Sequence, residues 1–261
     1  MPSMPSAPPP DTLSGPTHTL TDLAALLRGR RFTVLTGAGC STESGIPDYR
    51  GPETRRRARN PIQGRDFLRS AEIRRRYWAR ALVGWERFRR AEPNAAHHAL
   101  ASLDRAGLIT RLITQNVDGL HQAAGNDPET VIEVHGTMRV AMCWSCGLRW
   151  PMGEILDRVR LGEDDPPCEA CGGIIKSDTI SFGQNLVPAV IDRAFQAAAD
   201  ADLLLAIGST LQVYPVAGVV PVAKRAGARI VIVNAEPTGM DELADELLTG
   251  QIGEVLPAIV P

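Results

Sequence analysis

The sequence predicts an α/β fold: a Rossmann-like parallel sheet with helices on both faces, plus a smaller domain made of a zinc ribbon and a helical insertion. Three observations predict it. Short β-branched or aliphatic runs alternate with helical patterns along most of the 261 residues. The first of these runs ends in the glycine turn Gly37-Ala38-Gly39. Two cysteine pairs lie inside a stretch that breaks the alternation.

The elements follow in order. Residues 1–19 are expected to be a flexible tail, because Met1 to Pro16 is rich in Pro, Ser and Thr. That segment has neither the basic start nor the apolar stretch of a secretory signal or transit peptide, so a cytoplasmic location is expected. Leu20, Leu23, Ala24 and Leu27 recur at helical spacing over 20–30, with Thr21 or Asp22 available as cap. Arg31–Thr36 then reads as a strand. Further buried-strand candidates are Ile109–Thr114, Val131–Val134, Leu203–Ile207 and Arg229–Val233, and helical patterns over 95–106, 188–199 and 215–226 alternate with them. Residues 51–93 show no clear strand and carry a helix with the stripe Ile73, Tyr77, Ala81, Trp85 and Phe88. The spacing therefore divides the chain into a nucleotide-binding domain over 20–50, 94–136 and 178–261, and a small domain formed by 51–93 and 137–177.

Composition narrows the function classes. Hydrophobic residues make up 44% and charged residues 22%, as in ordinary globular proteins, and no apolar run is long enough to span a bilayer. The formal net charge of -2 hides an asymmetry, since fourteen arginines lie between Arg50 and Arg90 against Glu53, Asp66, Glu72 and Glu86. That segment is either a solvated helical face or an electropositive surface beside an anionic ligand. The mildly acidic whole argues against a nucleic-acid binder.

Two motifs carry chemistry by themselves. Cys143-x-x-Cys146 and Cys168-x-x-Cys171 form two knuckles, each followed by glycine (Gly147, Gly172, Gly173). Four thiolates with no histidine nearby describe a closed tetrahedral zinc site, structural rather than catalytic. Two disulfides are the alternative reading, disfavoured by the paired knuckles and the expected compartment. Cys40 stands outside this set. The turn Gly37-Ala38-Gly39-Cys40-Ser41 after a strand suits a pyrophosphate-binding loop, although Thr42 replaces the third glycine of the dinucleotide fingerprint.

The wider set of motifs is more specific. Ser44-Gly-Ile-Pro-Asp-Tyr-Arg50 continues the glycine loop, Thr114-Gln-Asn-Val-Asp-Gly-Leu-His121 ends a strand, and Glu133-Val-His-Gly136 ends another. With the two knuckles, Gly208-Ser-Thr210 and Val233-Asn234, this order of motifs strongly resembles the sirtuin family from about residue 20 to the C-terminus. Asn60-Pro-Ile-Gln63, Arg76-Tyr-Trp-Ala-Arg80, Gly84-Trp85 and Pro93-Asn-x-x-His97 look closest to its class II branch, which includes a mitochondrial member.

The resemblance implies NAD⁺ as co-substrate and one structural Zn²⁺. It places Gly37, Ala38, Gly39, Ser41, Asp48, Tyr49 and Arg50 around the pyrophosphate and nicotinamide ribose, and Gln115, Asn116, Val117 and Asp118 at the nicotinamide end. Gly208, Ser209, Thr210, Asn234, Ala235 and Glu236 would border the adenosine half, with Ile252 near the adenine. His135 matches the catalytic position, supported by Asn116 and Asp118. The implied reaction releases nicotinamide as the acyl oxygen of a modified lysine attacks the ribose carbon. A ribose hydroxyl must then lose a proton, and a histidine is suited to accept it near neutral pH. The implied products are free lysine and an O-acyl-ADP-ribose. His97, His98 and His121 are the competing histidines.

The resemblance also implies acyl-lysine proteins or peptides as substrates, adding a strand between Ser181–Gln184 and Leu211–Tyr214. Ile180, Phe182 and Val213 would line the acyl-lysine tunnel. The chain departs from the family's pattern at Lys176-Ser-Asp178, where a proline usually follows the lysine, and at Gln184, where Glu is usual. Tyr77 and Arg80, three apart on one helix, resemble a pair that reads acidic acyl groups; the plainer reading is that Tyr77 belongs to the core stripe. Two rival functions are mono-ADP-ribosyl transfer at the same NAD⁺ site and a non-catalytic module, either an NAD⁺ sensor or a zinc-ribbon nucleic-acid binder using the arginine-rich segment.

Overall fold

The structure is a computed structural model that describes residues 20–48 and 61–259. Helix α1 (Leu20–Leu27) leads into β1 (Phe32–Thr36), and a 3₁₀ helix over Ala38–Ser44 follows. Helices α2 (Gly64–Arg69), α3 (Ala71–Arg90) and α4 (Ala95–Arg105) separate β1 from β2 (Ile109–Thr114). Short α5 (Leu120–Ala124) connects to β3 (Val131–Glu133). The chain then builds β4 (Gly136–Cys143), β5 (Arg149–Pro151), α6 (Met152–Arg160) and β6 (Ile175–Thr179). It returns through α7 (Pro188–Ala199), β7 (Leu203–Ile207), α8 (Val219–Arg225), β8 (Arg229–Asn234), β9 (Glu246–Thr249) and α9 (Ile252–Ile259).

Six strands form one parallel sheet in the order β3-β2-β1-β7-β8-β9. The chain winds outward from β1 to β3 and resumes at β7 on the other side of β1. The order therefore reverses between β1 and β7, and such a switch point opens a crevice beyond the carboxyl ends of the strands. Central strands β1 and β7 are buried along their whole length, as a sheet covered on both faces requires. Alternate residues feed two cores. Phe32, Val34, Leu205 and Ile207 pack with Leu23, Leu27, Leu100 and Leu256 on one face. Leu35, Leu204 and Ala206 pack with Ala194, Val220 and Ala223 on the other.

A second sheet, β5-β4-β6, is antiparallel and has its own core of Ala141, Ile175, Met152, Ile155 and Leu156 against α3 and α6. On α3 the fully buried residue is Trp78, which the expected stripe omits; Tyr77, Ala81 and Trp85 flank it. Part of the arginine-rich segment serves this packing, because Arg74 meets Asp165 at 2.9 Å and Arg75 meets Asp164 at 3.8 Å. The segment's members from Arg50 to Arg59 lie outside the described residues.

Three expectations shift. The helix over 215–226 is a 3₁₀ turn at Val216–Gly218 followed by α8, and α1 ends at Leu27 before a turn through Gly29. Strand β9 had no counterpart in the sequence reading; four residues at a sheet edge are too few for a periodic signal.

Candidate active site

The loops after β1, β2, β3, β7 and β8 all leave the same edge of the large sheet, and most of the described NAD⁺-site residues expected from the sequence lie on them or at their strand ends. Contact between the β1 and β7 loops is backbone to backbone. A Cβ on Gly37 would lie 2.7 Å from the Ser209 Cβ, and one on Gly39 would lie 2.9 Å from the Gly208 Cα. Gly208 adopts φ +61°, and a Cβ there would meet the Cys40 nitrogen at 2.5 Å. The amides of Gly37 and Gly39 donate to Ile207 and Gly208 carbonyls at 3.0 and 2.8 Å. These glycines thus hold the two halves of the crevice together, and their own amides are used within the fold.

Ser41, Asn116 and Asp118 join the β1 and β2 loops through a buried network. The Ser41 hydroxyl donates to Asp118 Oδ2 at 2.7 Å, and Asn116 Nδ2 donates to the Gly37 carbonyl and to Ser41 Oγ, each at 3.0 Å. Asp118 Oδ1 accepts the Leu120 amide at 2.9 Å, opening α5. Gln115 reaches across to the β7 loop, its amide donating to Ser209 Oγ at 3.0 Å. Val117 is half-buried, and its carbonyl accepts the Met138 amide at 2.8 Å.

His135 sits in the turn between β3 and β4, where the chain passes from the large sheet to the small one. Its Nδ1 lies 2.9 Å from the Gln115 carbonyl oxygen. A carbonyl only accepts, so Nδ1 carries the proton and Nε2 keeps its lone pair. Burial lowers the ring's pKa below its ordinary value, opposed by the bond to Gln115. The result is a half-buried imidazole, neutral at neutral pH, with its basic nitrogen directed away from its anchor. The competing histidines differ: His97 and His121 are fully buried in the protein interior, and His98 is exposed on α4.

The remaining expected positions fall as follows. Thr210 is half-buried beside Ser209, while Ala235 and Glu236 are exposed beyond β8. Asn234 Nδ2 donates to the Glu236 carbonyl at 2.6 Å and so shapes that loop. Ile252 is buried at the start of α9 and lies against Gly208. Ala38 and Asp48 are half-buried; Tyr49 and Arg50 lie outside the described residues. Of the expected tunnel residues, Ile180 is half-buried and Phe182 and Val213 are exposed. The Ile180 amide donates to the His135 carbonyl at 2.9 Å, so this strand end and the histidine share one hydrogen bond. Arg80 is exposed on α3. The Tyr77 hydroxyl lies 2.6 Å from Ser177 Oγ and accepts the Ser177 amide at 3.3 Å. The departure from proline at Ser177 therefore supplies Tyr77 with partners.

The four cysteines converge as a metal site should. Their sulfurs lie within 4.8 Å of one another, with Cys143–Cys171 at 3.6 Å and Cys146–Cys168 at 3.7 Å. Tetrahedral zinc with bonds of ~2.3 Å sets its sulfurs ~3.8 Å apart, so the cluster fits one Zn²⁺. None is in a disulfide. The knuckles repeat one pattern: the Gly147 amide donates to the Cys143 carbonyl at 3.0 Å and the Gly172 amide to the Cys168 carbonyl at 2.7 Å. Burial opposes ionisation of Cys143, yet the Cys146 and Ser145 amides bring its pKa down to about 6.

Arg139 and Glu43 had no sequence signal of their own, and Glu133 figured only as the first residue of the His135 motif. Arg139 donates from Nε to the Asp118 carbonyl at 2.7 Å and so clamps the small sheet to the β2 loop. Glu43 accepts the Gly253 amide at 2.9 Å at the start of α9. Glu133, two residues before His135, has its carboxyl pKa raised to about 7, chiefly by burial.

Comparison with known proteins agrees with this geometry. Residues 37–215 match the Sir2 family. The chain is 48% identical over 236 residues to NAD-dependent protein deacetylase 2 of Streptomyces coelicolor, covering 87% of this chain and 95% of that one. It is 40% identical over 261 residues to the mitochondrial NAD-dependent protein lipoamidase sirtuin-4 of Bos taurus, covering 89% and 82%. Among solved structures, a Sir2–p53 peptide–NAD⁺ complex superposes with a TM-score of 0.81 at 34% identity, covering 92% of this chain and 96% of that one. A Sir2 bound to acetylated peptide does so with a TM-score of 0.81 at 33% identity, with the same coverage of 92% and 96%. Sheet order, thiolate cluster and these likenesses converge on one assignment: the chain belongs to the Sir2, or sirtuin, family.

Proposed function

We propose that the protein removes acyl groups from lysine side chains of cytoplasmic proteins at the expense of NAD⁺, with His135 as general base. The observation that carries this reading is the His135 Nδ1–H bond to the Gln115 carbonyl, which leaves Nε2 as acceptor at the mouth of the crevice. The relatives named as NAD-dependent protein deacetylases support it, as do the neighbours solved with peptide and NAD⁺.

Bound NAD⁺ supplies an activated ribose carbon that the acyl oxygen attacks, releasing nicotinamide. Every other requirement falls on the chain's own residues. The crevice at the switch point admits a dinucleotide because three glycines let the β1 and β7 loops approach without side chains between them. Ser41, Gln115, Asn116, Ser209 and Asn234 would meet the two riboses and the phosphates between them. Asn116 and Asp118 keep the β1 and β2 loops rigid through Ser41, which fixes the carbonyl that orients His135. His135 Nε2 would take the proton from a ribose hydroxyl and pass it to the departing lysine amine, and water would complete the conversion to O-acyl-ADP-ribose. The substrate segment would lie against Ser181–Gln184 and Leu211–Tyr214, where Phe182, Val213 and Tyr214 are 53%, 37% and 69% exposed.

The test is direct. Full-length protein is incubated with NAD⁺ and acetyl, succinyl, glutaryl and long-chain acyl peptides, and free lysine peptide and O-acyl-ADP-ribose are followed by mass spectrometry. The reading expects equal amounts of both products from at least one peptide. Stable ADP-ribosylation of protein with no deacylated peptide would overturn it. In the same panel, Arg80→Ala should lower kcat/KM for succinyl and glutaryl peptides about tenfold or more relative to acetyl, the loss of a charge-assisted pair. An equal effect on all acyl groups removes Arg80 from acyl selection.

A further inference from the structure

Apart from the zinc knuckles and next to the glycine loop, Cys40, His97 and His121 converge from three elements: the 3₁₀ helix, α4 and α5. All three are essentially inaccessible, at 1%, 0% and 1% exposure. The Cys40 sulfur and one ring nitrogen of each histidine lie within 4.8 Å of one another, and the rings stand 4.9 Å apart between centroids.

The tautomers follow from the outer hydrogen bonds. Thr36 Oγ1 donates its only hydrogen to Thr114 Oγ1 at 2.8 Å, so it must accept from His121 Nε2 at 3.0 Å. His121 Nδ1 is then a bare lone pair, and it has no hydrogen-bond partner. The orientation of Asn94 is set because its Nδ2 donates to the Cys40 carbonyl at 2.9 Å while Oδ1 accepts the Ala96 and His97 amides. His97 Nδ1 lies 2.9 Å from that Oδ1 and 3.4 Å from the Asn94 main-chain amide; the shorter contact is to an oxygen that only accepts, so Nδ1 is the donor and His97 Nε2 is a second lone pair without a partner. One weak S–H donor on Cys40 can serve at most one of these two acceptors.

Two imidazoles that each give one N–H to an oxygen, keep the other nitrogen unpartnered and bring a ring nitrogen within 4.8 Å of a thiol have the arrangement of metal-ligating histidines. The geometry points to a second metal site, Cys40–His97–His121, that takes Cu(I) through one thiolate and two imidazole nitrogens. Ligand type selects this ion: three soft or borderline ligands suit a three-coordinate d¹⁰ cation, whereas zinc in a closed site takes four. Binding exchanges the thiol proton, released to solvent, for a sulfur–copper bond. Bonds of ~2.0–2.3 Å require ligand atoms ~3.5–3.7 Å apart, so the widest pair closes by about 1 Å.

The experiment uses the zinc-loaded full chain under reducing, oxygen-free conditions, titrated with Cu(I) held by the coloured chelator bicinchoninate. The wild type should withdraw one Cu(I) per chain while retaining its zinc, and X-ray absorption at the copper edge should show one sulfur and two imidazole neighbours. Cys40→Ala, with zinc content and circular dichroism unchanged, should withdraw none. The site is refuted if no copper is withdrawn, if Cys40→Ala withdraws as much as the wild type, or if copper appears only with zinc release and sulfur-only coordination. That last result would assign the metal to Cys143, Cys146, Cys168 and Cys171. The copper titration does not read deacylation, so its failure leaves the proposed activity untouched.

Discussion

Replacing His135 with alanine removes the one neutral imidazole at the crevice whose tautomer leaves a nitrogen free to accept a proton. An imidazole at its ordinary pKa of ~6.5 is about three quarters neutral at pH 7. Burial lowers the His135 pKa below that value, so the basic form is favoured further at pH 7. Losing a positioned base of this kind costs roughly 10²–10⁴ in kcat, or about 3–5 kcal/mol of transition-state stabilisation. Stability should hardly change, because the bond that ties this turn to β6 runs from the Ile180 amide to the main-chain oxygen of His135. The assay is release of free lysine peptide at saturating NAD⁺ and acyl peptide, with thermal unfolding as control. The wild-type kcat/KM should also rise with pH and level off, its acid limb centred below 6.5, because protonation of the ring abolishes base function. A loss of less than tenfold in His135→Ala, or an acid limb centred above 6.5, would refute the assignment.

Three further outcomes follow from the geometry. Gly208→Ala forces a side chain into φ +61° and to 2.5 Å from the Cys40 nitrogen; the left-handed backbone alone costs ~1–2 kcal/mol, so both Tm and apparent NAD⁺ affinity should fall, and unchanged values in thermal unfolding and KM would show that the β1–β7 contact does not matter. Chelation of zinc should unfold β4, β5 and β6 and abolish activity, since structural zinc sites carry ~10–16 kcal/mol of binding free energy; intact circular dichroism in metal-free protein would refute this. Glu133 has a raised pKa of about 7, so the folded state resists its ionisation, and stability should fall as pH rises from about 4.5 to 7. Glu133→Gln should remove that fall and stabilise the protein by roughly 2–3 kcal/mol at pH 8, measured by urea unfolding.

The large sheet was readable because its strands are buried on both faces: Val34, Leu35, Leu204 and Leu205 leave runs that survive without any knowledge of neighbours. The zinc site was readable because four ligands at two short spacings allow one geometry. The small sheet was not, since β5 has three residues and β4 mixes half-buried and exposed positions. The glycine loop was read as a phosphate cradle, whereas Gly37, Gly39 and Gly208 first of all admit one another; a glycine records close approach without saying what approaches. Arg139 and Glu43 act through main-chain groups distant in sequence, Asp118 and Gly253, and no local pattern encodes such partners. Cys40 looked unpaired for the same reason: its neighbours His97 and His121 arrive from separate helices.

The role proposed for His135 would give the zinc module, which performs no chemistry itself, a part in orienting the base. The histidine is the hinge residue between sheets, and its surroundings are contributed from both sides. The large sheet supplies the Gln115 carbonyl that fixes the ring. The small sheet supplies Gly136, which pairs with Thr179 on β6, and the Ile180 amide that holds the His135 carbonyl. Two more ties cross the same junction, Met138 amide to Val117 carbonyl at 2.8 Å and Arg139 to the Asp118 carbonyl at 2.7 Å. The far ends of β4 and β6 are held by the thiolate cluster, because Cys143 on β4 pairs with Ile175 on β6. Loss of the metal therefore frees β4 and β6 from one end, and the bonds that orient His135 and Asp118 lie at the other. A catalytic base needs its orientation kept to within a fraction of an ångström, and here that orientation is shared between a sheet stable by its own burial and a sheet that depends on its metal.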